Sequence, residues 1–285
     1  MKYTIKEFNK DFTGGDDCLS FIFNKRYGRG YTCPGCGKSG FYRVRGRKCY
    51  ACEWCGYQIH PLAQTIFHKS CTSLKNWFYS IFLMSQSRNG VSAKEIERHL
   101  GVTYKTAWRI QKQIRKLMAR DKSMMTGTFE MDETYVGGKH HGKRGRGAEG
   151  KTAVVGIAQR KGEIVAEVVD DVKSSTVMPL VRENVAIGSR LMTDEFAIYN
   201  RLGKEGYKHG VINHRQKQYV KGDIHTNTID GFWSQLKRSI DGTYHHVSPK
   251  YLQHYVDEFS YRYARRSSPD HLFKHLLSEV VGRPC

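Results

Sequence analysis

Phe129-Glu130-Met131-Asp132-Glu133-Thr134-Tyr135-Val136-Gly137-Gly138 is the stretch on which the reading of this chain turns. Phe129, Met131 and the run 134–136 suit a β-strand, and the glycine pair ends it. Asp132 sits in the middle. A carboxylate in an apolar strand is costly unless it is paired or bound to a metal. Asp132 is therefore a candidate first ligand of a divalent-metal site. The competing reading is a strand-end acid facing solvent. Strand alternation sends Glu133 to the opposite face, which makes it a neighbour of such a site rather than a ligand.

Downstream, 152–159 and 163–169 are β-rich and continue the first strand as an antiparallel meander. Residues 176–186 read as a helix, 190–194 as a strand ending in Thr193-Asp194-Glu195, and 207–213 as a further short strand. Residues 227–240 read as a helix with Ile229, Phe232, Trp233, Leu236 and Ile240 on one face. Residues 251–266 form a last helix with a basic end. This order predicts an α+β domain with a mixed sheet. Three acids fall at element ends within it: Asp132, Asp194 and Asp230. Carboxylates converging from a central strand, its neighbour and a flanking helix suit Mg²⁺, which takes few protein ligands and completes its shell with water and phosphate oxygens. Paired ions of that kind promote in-line displacement at phosphorus. Asp230 also has a plainer reading, as a first-turn acid complementing the helix dipole with Asn227 as its capping partner.

Upstream lie two thiolate knuckles, Cys33-Pro34-Gly35-Cys36-Gly37 and Cys52-Glu53-Trp54-Cys55-Gly56, separated by a basic strand-like stretch. Each knuckle chelates through two sulfurs, and four thiolates make a closed, structural Zn²⁺ site. Such a site supplies folding energy to a segment too short for its own core. Cys49-x-x-Cys52 is a second possible knuckle; Gly56 favours Cys52 with Cys55. Cys18, Cys49, Cys71 and Cys285 read as ordinary thiols. Before the knuckles, residues 1–30 read as one helix and a basic loop.

Residues 73–86 carry Leu74, Trp77, Phe78, Ile81 and Phe82 at helical spacing, which reads as a core face rather than a base-stacking surface. Ser92 caps a short helix at 93–100, Gly101-Val102 turns, and Thr103 caps a longer helix running to about 119. That is the helix-turn-helix pattern. On its second helix Ala107, Ile110, Ile114 and Leu117 form an apolar stripe. Lys105, Arg109, Lys112 and Lys116 form a basic one, which suits phosphates and the major groove. Tyr104, Lys105 and Arg109 are candidate base contacts, against the alternative of a solvated basic face. Residues 121–127 read as a linker and 137–151 as a mobile basic loop.

Composition agrees with a polyanion partner: 285 residues carry a formal charge of +20, with a pI near 9.6. Nucleic acid comes first among such partners and an acidic membrane surface second; the helix-turn-helix pattern directs the expectation to double-stranded DNA. No apolar run reaches membrane-spanning length, and 1–10 lacks a signal-peptide core. The expectation is an intracellular protein with no membrane partner, whose cysteines serve metal or stay free thiols rather than form a disulfide framework.

The chain resembles the ISXO-like zinc-ribbon transposases of bacterial insertion sequences, relatives of the Merlin transposons. The resemblance is carried by the two knuckles with Tyr57-Gln58, by Met131-Asp132-Glu133-Thr134-Tyr135-Val136-Gly137-Gly138-Lys139, and by Met192-Thr193-Asp194-Glu195. It extends through His225-Thr226-Asn227-Thr228-Ile229-Asp230-Gly231-Phe232-Trp233-Ser234-Gln235-Leu236-Lys237-Arg238 and Gly242-Thr243-Tyr244-His245-His246-Val247-Ser248. It implies an RNase H-like domain with an Asp–Asp–Glu-type site using Mg²⁺ or Mn²⁺. It also implies cleavage at transposon ends and joining of 3′ ends to target DNA. Asp132 matches the first acid and Asp194 the second. Asp230 stands where the family usually has Glu, one methylene shorter, with Asn227 and His225 as alternative ligands. Arg262-Tyr263-Ala264-Arg265-Arg266 stands where the family tends to carry Arg followed by Asn. Lys237, Arg238 and the glycine-rich loop would hold DNA.

The expected organisation is an N-terminal helical segment (1–30), a zinc ribbon (31–62), a helix-turn-helix domain (72–121), an RNase H-like catalytic domain (127–268) and a C-terminal tail (269–285). Two transposon ends must meet, so a homodimer or higher homo-oligomer, assembled on DNA, is expected. The alternative is an inactive or repurposed transposase acting as a DNA-binding regulator.

Overall fold

The structure, a computed structural model, describes residues 3–28, 30–121, 123–137, 150–213, 216, 220–267 and 272–282. Most of the basic loop read at 137–151, and 217–219 of the loop before the helix at 227, lie outside the described residues. The chain divides into two compact units, Met1–Leu117 with Ser268–Cys285, and Met118–Ser267.

The first unit opens with two helices, α1 (Ile5–Asp11) and α2 (Gly15–Tyr27), where the sequence reading had one helix and a basic loop. Asp17 makes the break: its Oδ2 accepts from the Thr13 and Gly14 amides at 2.8 and 3.1 Å, capping a fresh helix start. Three short strands follow, β1 (Phe41–Arg43), β2 (Tyr50–Cys52) and β3 (Gln58–Ile59), paired antiparallel in that order. Helix α3 (Leu74–Gln86) is capped by Ser73 Oγ, which accepts from the Asn76 amide. Its aromatics are core, as the periodicity predicts: Phe82 packs 5.1 Å from Phe8 and Phe78 4.9 Å from Phe12. Helices α4 (Ala93–Leu100) and α5 (Tyr104–Met118) are joined through Gly101, whose φ of 63° is left-handed and favours glycine.

The second unit is built on a five-stranded sheet of β4 (Thr128–Val136), β5 (Thr152–Gln159), β6 (Ile164–Val169), β7 (Arg190–Thr193) and β8 (Lys208–Val211). Their order across the sheet is β6-β5-β4-β7-β8. The first three form the antiparallel meander; β7 and β8 run parallel to β4. Helix α6 (Ser174–Asn184) precedes β7, and α7 (Asn227–Ser239) and α8 (Pro249–Ala264) follow β8. Successive residues of one strand feed two separate cores. Phe129, Met131, Val155 and Ile157 pack with Val177 and Val181 of α6. Val136, Val154 and Ala158 pack with Ile229, Phe232 and Trp233 of α7 and Val256 of α8. Period-two alternation thus covers both faces of the sheet. The edge strand β6 is closed by a side chain: Gln253 of α8 accepts from the Val168 amide (2.8 Å) and donates to the Ala166 carbonyl (3.0 Å). Its amide stands where a sixth strand's peptide would.

Residues 269–285, read as a tail, carry a helix, α9 (Leu272–Gly282), whose Phe273 stacks on Tyr3 at 4.8 Å within the first unit. Leu272, Phe273, Leu276, Leu277 and Val280 are all buried, at the spacing of one helical face. Among the described residues no helix is long and apolar enough to cross a membrane.

Candidate active site

Parallel pairing places Glu130 of β4 opposite Met192 of β7. Beyond that pair, Asp132 lies mid-strand in β4 and Asp194 just past the end of its parallel neighbour β7, near enough for the Asp194 charge to act on the Asp132 carboxyl. Asp194 follows the last residue of β7, and its Oδ1 accepts from the Phe196 amide (3.0 Å) in a tight turn. Asp230 lies in the first turn of α7, accepting from Thr226 Oγ1 at 3.0 Å.

Helix α7 lies close over β4. Trp233, one turn beyond Asp230, donates its indole N–H to Asp132 Oδ2 at 3.0 Å. The approach needs a glycine beneath it. Gly156 is the β5 partner of Asp132, and a Cβ there would lie 2.6 Å from the Trp233 ring and 2.8 Å from Ile229 Cδ1.

Burial pushes the Asp132 carboxyl up to about 8, and the like charges of Glu133, Asp230 and Asp194 push the same way. Glu133 occupies the opposite face, as alternation predicts: its Oε2 accepts from the Tyr199 hydroxyl at 3.0 Å. Burial and that carboxylate hold the Tyr199 phenol well above its ordinary range.

The acids are looser than the sulfurs. Sγ of Cys33, Cys36, Cys52 and Cys55 all lie within 4.8 Å of one another, the one such closed group of three or more potential ligands among the described residues. Cys33–Cys55 and Cys36–Cys52 approach to 3.5 and 3.6 Å. Sulfurs at about 2.3 Å from a tetrahedral ion sit at nearly that spacing, so the donor set fits structural zinc. Gly37 and Gly56 close the knuckles with φ of 72° and 73°. Cys49 is buried apart from them, its sulfur directed at Gln58 Oε1. The three aspartates offer hard oxygen donors in a mutually repelling, partly buried group. That suits a hydrated Mg²⁺ or Mn²⁺ completed by water and phosphate oxygens.

Of the two alternative ligands, His225 turns elsewhere: its Nδ1 lies 3.2 Å from Glu130 Oε1. Asn227 is exposed at the start of α7. Asn227 is not the cap that the sequence reading offered. Glu130, wholly buried on the same face of β4 as Asp132, caps this helix instead. Its Oε2 accepts from the Thr228 and Ile229 amides at 2.6 and 3.2 Å. Arg262, in the divergent C-terminal motif, pairs with buried Glu258 at 2.6 Å.

On α5, Ala107, Ile110, Ile114 and Leu117 are buried, while Tyr104, Lys105, Arg109 and Lys116 are exposed. Lys112 is partly covered, its Nζ 5.4 Å from the Trp108 ring. Lys237 and Arg238 are exposed in the last turn of α7.

A sheet of this order with acids at its C-terminal side, in a chain that also carries a four-cysteine ribbon, defines a class: zinc-ribbon proteins with an RNase H-like α+β domain. Residues 124–264 match the ISXO2-like transposase domain, and residues 15–58 match the transposase zinc-ribbon domain. The chain belongs to the ISXO2-like transposase family. It is 26% identical over 275 residues to an uncharacterized protein in transposable element ISH50 of Halobacterium salinarum, covering 89% of this chain and 92% of that one. It is also 28% identical over 103 residues to an uncharacterized transposase-like protein of Haemophilus influenzae, covering 36% of this chain and 82% of that one. Among solved structures it is similar, at a TM-score of 0.31 and 14% identity, to a chain of the simian T-cell lymphotropic virus intasome in complex with PP2A regulatory subunit B56 gamma. That match covers 62% of this chain and 64% of the other, so the chain spans just under two thirds of that chain's length.

Proposed function

We propose that this protein is an active DNA transposase that cleaves transposon ends and joins the freed 3′ ends to target DNA. The observation that carries the reading is the set of three acids: Asp132 on β4, Asp194 just past the end of the parallel neighbour β7, and Asp230 on the helix whose Trp233 bonds to Asp132. Asp132, Asp194 and Asp230 would hold Mg²⁺ or Mn²⁺. Bound there, such ions supply the activation of an attacking oxygen and the stabilisation of a leaving one at phosphorus. No protein nucleophile is required. The buried Asp132 is oriented by the Trp233 indole, and the Phe196 amide fixes Asp194.

The exposed face of α5 would read DNA, with Tyr104, Lys105 and Arg109 near base edges and Lys112 and Lys116 on phosphates. Lys237 and Arg238, at the far end of the helix that carries Asp230, would hold the phosphodiester backbone. The four-cysteine site would hold structural zinc. The working partners would be double-stranded DNA and further copies of this chain, since two ends must meet.

Asp132→Ala is expected to abolish Mg²⁺- or Mn²⁺-dependent cleavage and strand transfer on a terminal-repeat duplex while leaving binding to that duplex within about twofold. The second reading, a DNA-binding regulator, draws on Asp230, which stands where the family usually has Glu and is exposed. Wild-type protein that binds terminal repeats but cuts them with neither ion would establish that reading and sink the first.

A further inference from the structure

Glu130 is a fully buried acid that the three-aspartate chemistry does not use. Its surroundings are built. Oε1 accepts from Arg160 Nε at 2.7 Å and from Thr228 Oγ1 at 2.9 Å, with His225 Nδ1 at 3.2 Å. Oε2 accepts the two amides that open α7. Arg160 then reaches on to the His225 carbonyl at 3.1 Å, tying down the segment that enters the helix. On the far side of the first turn the Tyr263 hydroxyl donates to the Thr228 carbonyl at 3.0 Å. Glu130 and Asp132 project from the same face of one strand, two residues apart. The helix start that Glu130 grips carries Asp230 one residue beyond the second gripped amide, and Trp233 three residues further.

We infer that Glu130 is a positioning residue for the metal centre: through Thr228, Ile229 and Arg160 it sets the axial position of α7 against β4, and so the placing of Asp230 and Trp233 against Asp132. A carboxylate suits this task because charge-assisted bonds to paired amides and a guanidinium are short and directional. A helix N-terminus also complements negative charge. The inference rests on the reading of the three aspartates as a metal site.

The test compares wild-type, Glu130→Gln, Thr228→Ala, Thr228→Ser and Asp132→Ala proteins at full length. Four quantities are read: Mn²⁺ affinity by electron paramagnetic resonance, end-duplex cleavage across Mn²⁺ concentration, end-duplex binding, and the Trp233 indole ¹H–¹⁵N resonance without metal. Outer partners of metal ligands typically contribute about 10–100-fold in affinity or activity. Glu130→Gln is expected to weaken Mn²⁺ binding by about tenfold or more, to raise the Mn²⁺ concentration needed for cleavage in step, and to move the Trp233 resonance. End-duplex binding stays within about twofold of wild type. Thr228→Ala gives the same pattern at about two- to fivefold, and Thr228→Ser, which keeps the hydroxyl, restores wild-type values.

Wild-type Mn²⁺ affinity and an unmoved Trp233 resonance in Glu130→Gln would overturn the inference. So would loss of metal and DNA binding together in proportion to the unfolded fraction. If Glu130→Gln does not fold, Thr228→Ala alone decides, and an unchanged Mn²⁺ affinity there overturns it. Asp132→Ala separates the two levels: Mn²⁺ binding that is indifferent to Asp132 defeats the metal-site reading itself, whatever Glu130 does.

Discussion

Residues in this chain carry charge into places where charge is expensive, and the resolution differs from site to site. Asp132 is pushed up by burial and three neighbouring acids, a state that a bound cation would relieve. Glu130 is satisfied by amides and a guanidinium. Asp257 on α8 has a weaker arrangement. Gln253 Nε2 donates to it at 2.8 Å, but burial, aided by the Glu167 charge, raises its carboxyl to about 6. A folded value above the unfolded value of 3.8 means the native state binds the proton more tightly. The penalty is therefore absent well below pH 4, grows as pH rises through about 4 to 6, and is complete above that. Asp257→Asn, which keeps an oxygen for Gln253, should stabilise the protein at pH 7 by on the order of 1–2 kcal/mol. It should give no gain near pH 3.5. Urea midpoints at the two pH values check this; an equal shift at both would refute it.

At the scale of elements, the centre depends on how closely α7 approaches the sheet. Gly156→Ala places a methyl where Trp233 and Ile229 already sit. Overpacking of this kind costs about 1–3 kcal/mol. The larger effect should fall on cleavage, because the displaced Trp233 carries the bond to Asp132. Thermal melts with cleavage rates under saturating Mn²⁺ read both, and a variant with wild-type rates would show that the close approach is dispensable. This is also the scale at which sequence legibility divides. Asp132 could be found because an acid interrupts an apolar strand, and the strands and helices around it follow from their periods. Glu130 could not: it alternates in the same strand as an acid like any other, and the amides it caps lie 98 and 99 residues away. Two local signals escape the reading for a different reason. Asp17 capping Gly14 and the apolar stripe of α9 are local and readable, but each lies where short polar or terminal sequence invites the label of loop or tail.

For the whole molecule, two compact units imply separable stabilities. The first contains a four-thiolate site, and closed zinc sites of this kind contribute folding energy outright. Removing metal with a chelator, or replacing Cys33 by Ser, should melt the first unit and weaken DNA binding. The second unit should keep a cooperative transition near its original temperature. Calorimetry with end-duplex titrations tests this, and full DNA affinity with an unaltered first transition after metal removal would count against it. The +20 formal charge sets a further whole-molecule property. Binding of duplex DNA should fall steeply with salt, because each phosphate contact releases counterions.

The capping of α7 by Glu130 has a consequence for how the protein is made. A ribosome delivers β4 nearly a hundred residues before the helix that Glu130 holds. Until that helix emerges, the nascent sheet carries an acid at 130 whose Oε2 has no amides to accept from, with Arg160 as its one charged partner, and burying it in that state is costly. Asp132 meanwhile has neither Trp233 nor Asp230. The unfinished polypeptide is therefore discouraged from closing this face and lacks one of the three proposed metal-binding acids. Under the proposed function, chains that terminate before residue 227 should not cleave an end duplex with Mg²⁺ or Mn²⁺, and cleavage by such a truncated chain would refute this.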